Sequence, residues 1–208
     1  PIIETMGLTE TGSQITTNPL PPAIRKIGSP GTAFGNEIMI GDDTLAAVPA
    51  GTVGEILVRG ANVMQGYLNQ PEETAKTISS DGWLRTGDLG YLDQDGYVFV
   101  SGRIKELIIK GGENIAPREI DEALLEHEAV LEAAAFAVPC ENYGERVEAC
   151  IRLKEQMQAS ASDLLAHCQT RLGKFKSPDT IHILEDLPKG PSGKVQRLKL
   201  FGLVYPAE

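Results

Sequence analysis

Four polar side chains in this sequence lie in short glycine-containing segments, where they can contact phosphate, metal or sugar groups. In MGLTETGS, the hydroxyl of Thr9 can donate to a phosphate oxygen, and the adjacent Glu10 offers a hard oxygen ligand for Mg²⁺. In TGD, the carboxylate of Asp88 can accept hydrogen bonds from both hydroxyls of a ribose. In LPKGPSGKVQR, Lys194 places an ammonium group on a glycine-rich loop.

Each feature taken alone also has an ordinary structural explanation. A Thr-Glu pair between glycines is common turn chemistry, and an aspartate between Gly and Leu is a good turn former. A lysine on a glycine-rich loop normally extends into solvent, as Lys194 would if nothing else accompanied it. We interpret its neighbours Lys189 and Arg197 as supporting or solvated charges. The order of the motifs therefore carries more information than any single motif.

The first half of the chain predicts short strands separated by Gly and Pro. Apolar, β-branched runs occur at 37–40, 55–59 and 97–100, and Asp95-Gly96 before the last run is a hairpin signal. Pro71 followed by two glutamates in PEETAKTI predicts the start of a helix. We expect a small, mostly β unit here.

After Gly102 the pattern changes to alternating strands and helices. Pro117 opens a predicted helix whose apolar side carries Ile120, Leu124 and Leu125. For a second predicted helix, Ser162 is the expected N-cap and Gly173 the expected stop. The remaining predicted segments are the strands ELIIK, 133–138, 147–153 and IHILE and the helix 162–172.

The predicted fold class is mixed α/β, with two domains. Residues 1–102 form a β-rich, barrel-like unit, and residues 103–208 form an α+β domain with a boundary near 103–105. No internal repeat or low-complexity segment is visible. The chain starts at Pro1 rather than Met, within a predicted strand and turn, so we treat it as a piece of a longer protein.

Composition excludes several classes of function. A formal net charge of −10 over 208 residues disfavours electrostatic binding of nucleic acid or anionic lipid. No apolar run predicts a membrane span, no signal peptide is recognised, and the C-terminal PAE is not a peroxisomal address. We expect a cytoplasmic protein.

The three cysteines show no CxxC spacing, so we expect buried free thiols. The three histidines are scattered and suggest no metal site.

Five ordered stretches, spanning about Glu4 to Leu200, resemble the superfamily of adenylate-forming enzymes that includes acyl-CoA synthetases, peptide-synthetase adenylation domains and firefly luciferase. They are MGLTETGS, GEILVRGANVMQGYLNQPE, GWLRTGDLGYLDQDGY, GRIKELIIKGGENIAPREID and LPKGPSGKVQR. Within that superfamily, the sequence looks most like the oxalate-CoA ligase and 4-coumarate-CoA ligase group. The second stretch serves as a structural signature, for which we predict no catalytic role.

The resemblance implies a role for individual residues. It makes residues 1–102 the C-terminal end of a large AMP-binding domain and residues 103–208 a small mobile domain that swings about a hinge at Lys105. It also makes Lys194 the catalytic lysine and Glu10 the magnesium ligand. The family usually has an aromatic residue where this sequence has Met6. The glycines expected to line the CoA tunnel are Gly111 and Gly112, and the residues expected at ATP or AMP are Met6, Gly7, Thr9, Asp88, Arg103 and Asn114.

The implied activity is that of an ATP-dependent carboxylic acid–CoA ligase that forms an acyl-adenylate and releases pyrophosphate and AMP. ATP, Mg²⁺ and coenzyme A are the expected cofactors and co-substrates, and a small carboxylic acid is the expected partner. The family's Ser/Thr/Gly-rich phosphate loop is not found in these 208 residues, so the chain alone should be inactive. Two alternatives are an adenylation domain that loads a carrier-protein phosphopantetheine, and a non-catalytic module with this fold.

Overall fold

A computed structural model describes residues 2–206 and divides the chain into two compact units, Pro1–Ile104 and Lys105–Glu208. The described residues contain three β-sheets and four α-helices, which confirms the mixed α/β class. The point of division lies within a short 3-10 helix, Ile104–Glu106. None of the helices in residues 2–206 is long and apolar enough to span a bilayer.

The first unit contains two antiparallel sheets. Its elements are β1 (Thr5–Leu8), β2 (Ser13–Thr17), β3 (Thr32–Ala33), β4 (Glu37–Gly41), β5 (Gly54–Arg59), α1 (Pro71–Thr77), β6 (Leu84–Leu92) and β7 (Val98–Arg103). Strands β1 to β3 form one sheet, and β4 to β7 form the other in sequence order. The second sheet is open, because β4 and β7 lie at opposite ends of the strand order. The barrel-like arrangement expected from the sequence is therefore not closed among residues 2–206.

Turn chemistry and burial explain this arrangement. The predicted turn at Asp95-Gly96 connects β6 to β7, and Gly96 has the positive φ of 78° that such a turn favours. Ile40, Ile56 and Val98 form a buried cluster. Each comes from a different strand of the β4–β7 sheet, so these strands share one apolar face. Burial of that face holds the strands in register.

The second unit packs helices on a five-stranded sheet. Its elements are β8 (Ile108–Lys110), β9 (Glu113–Ile115), α2 (Pro117–Leu125), β10 (Val130–Cys140), β11 (Gly144–Leu153), α3 (Ala161–Lys176), β12 (Thr180–Ile183) and α4 (Leu200–Val204). Strand β11 pairs with β10 antiparallel and with β12 parallel. The β8–β9 hairpin joins the sheet where Lys110 pairs with Gly144.

Strand β10 separates two apolar cores. Ala135 belongs to the cluster under α2 and α3, whereas Ala134 and Phe136 belong to a second cluster that also contains Leu187 and Leu200. Side chains along a strand point alternately to opposite faces, so one strand contributes to both cores. The chain between Leu187 and Leu200 is therefore fixed at both ends on the face opposite α2 and α3.

Two sequence expectations for the helices were wrong. Ser160, not Ser162, is the N-cap of α3, because Ser160 Oγ accepts from the Asp163 N–H and Asp163 bonds back to Ser160. Leu125 is 46% exposed rather than packed on the core. The chain does leave helical geometry at Gly173, where φ is 74°, as the sequence predicts.

The three cysteines are free, as expected; Cys150 and Cys168 are buried, whereas Cys140 is only half-buried, contrary to the expectation. Burial raises the pKa of each of these two thiols to about 11, and a nearby carboxylate, Glu148, contributes to the shift at Cys150. Both therefore stay protonated at neutral pH, which makes them inert packing residues rather than nucleophiles.

Candidate functional site

The Thr9-Glu10 pair lies in the turn of the β1–β2 hairpin, within the 3-10 helix Thr9–Thr11. The buried Thr11 hydroxyl holds this turn: it donates to the Leu8 carbonyl at 3.0 Å and accepts from the Leu8 N–H at 3.3 Å. Thr9 is exposed and Glu10 is half-buried. The turn therefore presents the Thr9 hydroxyl to solvent on a fixed backbone.

Gly7 and Met6 have structural roles in the same hairpin. A Cβ at Gly7 would lie 1.9 Å from the carbonyl oxygen of Ser13, so only glycine allows the two strands to approach as they do. Met6 packs against the cluster that contains Ile40 and Val98. Contact of Met6 and Gly7 with a nucleotide stays a prediction.

The carboxylate of Glu10 is held by a residue that sequence reasoning missed. The hydroxyl of Tyr67 donates to Glu10 Oε1 at 2.9 Å, and the N–H of Met64 donates to the Glu10 carbonyl at 2.8 Å. Burial, together with the hydrogen bond to Glu10, raises the pKa of Tyr67, so the phenol stays a donor at neutral pH. Tyr67 lies in the signature GEILVRGANVMQGYLNQPE. The polar residues of that signature were the only sequence feature from which a contact with Glu10 could have been suspected.

The chemistry of Glu10 fits a magnesium ion shared with a bound triphosphate. Residues 2–206 contain no group of three or more His, Cys, Asp or Glu side chains able to hold a metal by themselves. Mg²⁺ usually keeps several waters and takes one or two protein carboxylates together with phosphate oxygens. One half-buried carboxylate, oriented by Tyr67, meets that requirement.

Strands β6 and β7 bring Asp88 and Arg103 together, because the two residues are directly paired in register. Arg103 Nε donates to Asp88 Oδ1 at 2.7 Å. The Asp88 side chain is 9% exposed, whereas that of Arg103 is 57% exposed. The Asp88 N–H also donates to Thr86 Oγ1 at 3.0 Å. A nearly buried carboxylate thus lies beside an accessible guanidinium, a pairing suited to a ribose and its phosphate.

The predicted hinge and the predicted CoA loop lie on either side of β8. Lys105 is exposed within the 3-10 helix Ile104–Glu106. Gly111 and Gly112 form the exposed turn between β8 and β9, with φ values of 61° and 85°. A Cβ at Gly112 would meet no other atom within 4 Å, so space beside its backbone is open. Asn114 is exposed on β9, and its contact with the adenylate stays a prediction.

The glycine turn is fixed by the residue before it and by a neighbouring loop. Lys110 is buried, with its ammonium 3.3 Å from Asp179 Oδ2 and 5.4 Å from the ring centre of Phe175. The Gly111 N–H donates to the Tyr143 carbonyl at 2.8 Å. These contacts hold the Gly111–Gly112 backbone without using the face that is open to a ligand.

Lys194 lies at the end of a tight turn. The Gly190 N–H donates to the Lys194 carbonyl at 2.8 Å, and the Gln196 N–H donates to the Pro188 carbonyl at 2.7 Å. Gly193 has a φ of 77°, a conformation that favours glycine. Lys194 itself is exposed. The turn therefore holds the backbone of Lys194 while its ammonium stays accessible.

Of the two roles expected for Arg197, a supporting or a solvated charge, its contacts fit the supporting one. Its side chain is 15% exposed and forms ion pairs with Glu106 at 3.0 Å and with Asp121 at 2.7 Å. Lys189 does behave as expected: it lies near the surface, where it pairs with Glu132 and Asp186. The only sequence signal for Arg197 was its place in the Gly-Lys-x2-Arg spacing. Its partners Glu106 and Asp121 lie far from it in the chain, so the sequence does not show that they are close in space.

Two family models match the chain in sequence order. The model described as AMP-binding enzyme matches residues 1–68, and the AMP-binding enzyme C-terminal domain matches residues 119–194. The chain belongs to the AMP-binding enzyme family. The first match covers Thr9 and Glu10, and the second ends at Lys194.

Similar proteins include members of this family that are named as CoA ligases. The chain is 54% identical over 200 residues to a sulfoacetate–CoA ligase of Cupriavidus necator, covering 96% of the chain and 39% of that protein. It is 40% identical over 198 residues to an oxalate–CoA ligase of Saccharomyces cerevisiae, covering 95% of the chain and 36% of that protein.

A similar solved structure contains a reaction intermediate. The o-succinylbenzoate CoA synthetase of Bacillus subtilis, in complex with its acyl-adenylate, superposes with a TM-score of 0.88 at 38% identity. The superposition covers 100% of the chain and 42% of that structure. The chain therefore spans less than half the length of the relatives that it matches.

Proposed function

We propose that the full-length protein is an AMP-forming acid–CoA ligase, to which this chain contributes part of the nucleotide site, the hinge and the catalytic lysine. The observation that carries the proposal is the Asp88–Arg103 ion pair of 2.7 Å on paired strands, a buried carboxylate beside an exposed guanidinium. The ion pair occurs in one chain with the exposed Lys194, and a module with only a structural role has no physical need for Asp88, Arg103 and Lys194 together.

The residues of the first unit would bind and orient the nucleotide. Thr9 donates to a phosphate oxygen, and Asp88 accepts from the ribose hydroxyls. An ionised carboxylate accepts about four hydrogen bonds, so its ion pair with Arg103 is compatible with a bound ribose. When bound to Glu10, Mg²⁺ would neutralise charge on the triphosphate.

Lys194 would act in the first half-reaction. When a carboxylate oxygen attacks the α-phosphorus, the bond to pyrophosphate breaks, and two negatively charged groups come together. A positioned ammonium stabilises the charge of that transition state and holds both groups in line. The tight turn around Lys194 limits the motion of its backbone, so the point from which its side chain extends is fixed.

The second half-reaction needs different residues. The CoA thiolate attacks the acyl carbonyl, AMP leaves, and the thioester forms. We propose that a swing about Lys105 replaces Lys194 with the Gly111–Gly112 turn, whose open face accommodates pantetheine. Gating by a conformational change lets one site carry out two reactions in sequence.

The names of the relatives suggest a substrate class. Sulfoacetate, oxalate and o-succinylbenzoate each carry a second acidic group besides the carboxylate that is activated. We propose that the acid used by this protein is also small and dianionic.

The test is pyrophosphate release by the full-length protein with ATP, Mg²⁺, CoA and a panel of acids. The panel contains sulfoacetate, oxalate and o-succinylbenzoate, with acetate and benzoate as singly charged controls. We expect release that depends on a dianionic acid and is matched by formation of its CoA thioester. Release without thioester, and acyl transfer to a carrier protein, would favour the carrier-protein alternative; the absence of release with every acid would contradict the ligase assignment.

A lysine variant tests the role of Lys194 in the same assay. Lys194→Ala should lower acyl-adenylate formation by about 100-fold or more, since it removes a transition-state charge. Thioester formation from supplied acyl-adenylate should change little. Lys199→Ala is the matched control, because Lys199 is an exposed lysine five residues away. Adenylate formation that survives in Lys194→Ala would exclude Lys194 as the catalytic lysine.

A further inference from the structure

The side chain of Arg197 connects three elements of the second unit. Its Nε lies 3.0 Å from Glu106 Oε2, and its Nη2 lies 2.7 Å from Asp121 Oδ2. Its Nη1 donates to the carbonyl of Ala135. Glu106 directly follows the proposed hinge residue, Asp121 belongs to α2, and Ala135 belongs to β10. Arg197 therefore ties the segment after the hinge to the body of the unit.

Asp121 completes this network from the other side. Its Oδ1 accepts from the Ala135 N–H at 2.6 Å, so both backbone groups of Ala135 are bonded to side chains. Within residues 2–206, β10 ends the strand order of its sheet, so these groups have no strand partner on the side away from β11. Burial raises the pKa of Asp121, an effect that the Arg197 guanidinium opposes. A buried carboxylate of this kind needs its cation, so the network is held together strongly.

Arg197 also lies at the base of the Lys194 turn. Only Val195 and Gln196 separate it from Lys194, and the Gln196 N–H closes the turn on Pro188. Beyond Arg197, Leu200 is fully buried, and Leu187 on the other side of the turn is 2% exposed. The two apolar residues hold the ends of the segment, while Arg197 fixes its direction relative to Glu106.

We propose that Arg197 is a positioning residue for the first half-reaction: through Glu106 and Asp121 it holds the Lys194 turn in a fixed orientation to the segment that follows the hinge. The inference rests on the proposed function, because it assigns a mechanical role within the same site. The turn and the hinge segment then move as one body, so that closing the hinge delivers the Lys194 ammonium to one defined place.

The Gly111–Gly112 turn has separate supports, and this makes the proposal selective. Its backbone is held by Tyr143, and Lys110 pairs with Asp179; none of these residues is bonded to Arg197. Loosening of the Lys194 turn should therefore leave the second half-reaction intact. A general loss of folding would reduce both half-reactions together.

Arg197→Lys in the full-length protein is the principal test, because it keeps the charge and removes the fork that reaches two carboxylates. We expect kcat for acyl-adenylate formation to fall by about 10- to 100-fold, as a misplacement near 1 Å can cause. The KM for ATP and the rate of thioester formation from supplied acyl-adenylate should both stay within about threefold of the wild-type values. The reason is that the substitution does not alter contacts that bind the ground state and the transition state equally.

Two further variants make the result specific. Glu106→Gln weakens only the link to the hinge segment, because its amide oxygen can still accept from Arg197 but carries no charge. It should show the same selectivity with a smaller loss of about 3- to 10-fold, as for a positioning contact. Arg171→Lys is the matched control, because Arg171 forms a surface ion pair with Glu126 in the same unit. It should leave both half-reactions unchanged. An equal loss in both half-reactions, or wild-type adenylate formation in Arg197→Lys, would overturn the proposal.

Hydrogen exchange separates this inference from the proposed function. The amides of Gly190 and Gln196 close the Lys194 turn, so they should exchange faster in Arg197→Lys than in wild type or Arg171→Lys. If wild type activates no acid, the ligase assignment fails, and exchange alone decides whether Arg197 holds the turn. Unchanged exchange at these two amides would overturn the positioning role whatever the activity.

Discussion

At the scale of single residues, the carboxylates that we assign to ligands are held in place by hydrogen bonds and ion pairs with neighbouring side chains. Glu10 is oriented by Tyr67 at 2.9 Å, and Asp88 is fixed by pairing with Arg103 at 2.7 Å. Such second contacts reduce the rotamers available to a functional group before its ligand arrives. Their effects should therefore appear in ligand dependence more than in folding.

Tyr67→Phe tests this at the magnesium site. The variant keeps the ring and removes only the hydroxyl that donates to Glu10 Oε1. We expect the Mg²⁺ concentration for half-maximal activity of the full-length protein to rise by about threefold to tenfold, since one hydrogen bond to a charged group is lost. Magnesium titration of pyrophosphate release measures this.

The control for that titration is Tyr91→Phe, because Tyr91 stacks on Phe99 on the β6–β7 hairpin and is not bonded to Glu10. It should leave the magnesium midpoint unchanged. A Tyr67→Phe enzyme whose midpoint equals that of wild type would refute the orienting role of the phenol.

At the scale of elements, turns and caps set where the functional residues lie. The hairpin signal at Asp95-Gly96 pairs β6 with β7 and so brings Asp88 opposite Arg103. In α3 the capping box of Ser160 and Asp163 begins the helix two residues before the position that the sequence predicts. Helix ends assigned from sequence commonly differ by one or two residues from those in the structure. Here the run SASD at 160–163 contains three residues that can each act as an N-cap.

Ser160→Ala should destabilise the start of α3. Loss of an N-cap serine costs about 1 kcal/mol of the free energy of unfolding. Urea denaturation followed by circular dichroism measures the change. Ser162→Ala is the matched control, since Ser162 lies inside the helix and should cost less than half as much. A larger loss for Ser162→Ala would return the cap to the position that the sequence predicted.

The same cap predicts a dependence of stability on pH. The Ser160 hydroxyl and then its N–H lower the pKa of Asp163. A depressed carboxyl pKa stabilises the fold above the ordinary aspartate value of about 4, and this contribution is lost as pH falls through the native pKa. The urea midpoint of wild type should therefore exceed that of Asp163→Asn at pH 6, and the two should converge near pH 2. A constant difference across this range would exclude the carboxylate as its cause.

At the scale of the whole molecule, the chain consists of two compact units divided between Ile104 and Lys105. The first carries the residues that we assign to the nucleotide, and the second carries Lys194 and the glycine turn. We propose that a rotation at the point of division replaces Lys194 with the Gly111–Gly112 turn between the two half-reactions. This requires backbone freedom at Lys105, which is exposed and lies in a single short turn.

Lys105→Pro tests that freedom in the full-length protein, because proline fixes φ near −65° and removes the N–H. We expect the ratio of the two half-reaction rates to change by about tenfold or more, since one orientation becomes favoured over the other. The rates are measured separately, as acyl-adenylate formation from ATP and as thioester formation from supplied acyl-adenylate. Lys105→Ala keeps rotational freedom and should leave the ratio unchanged. Equal effects of Pro and Ala would argue against a hinge here.

The fold class, most of the helices and strands, and the identity of the motifs follow from the amino-acid sequence. Local signals suffice for these: Pro117 begins α2, Gly173 interrupts α3, and Asp95-Gly96 turns between β6 and β7. They depend on preferred φ and ψ values of individual residues, which hold in any context. The family motifs likewise lie in continuous stretches that can be recognised without a structure.

Which polar residues support the proposed site residues became visible in the packed fold. Tyr67 lies 57 positions from Glu10 in the chain, and Arg197 lies 91 positions from Glu106. Arginine at position 197 is equally compatible with solvent until its surroundings are known, because a charge is buried only where its partners are already in place. Those partners come from three separate elements, and their convergence is a property of the packed fold.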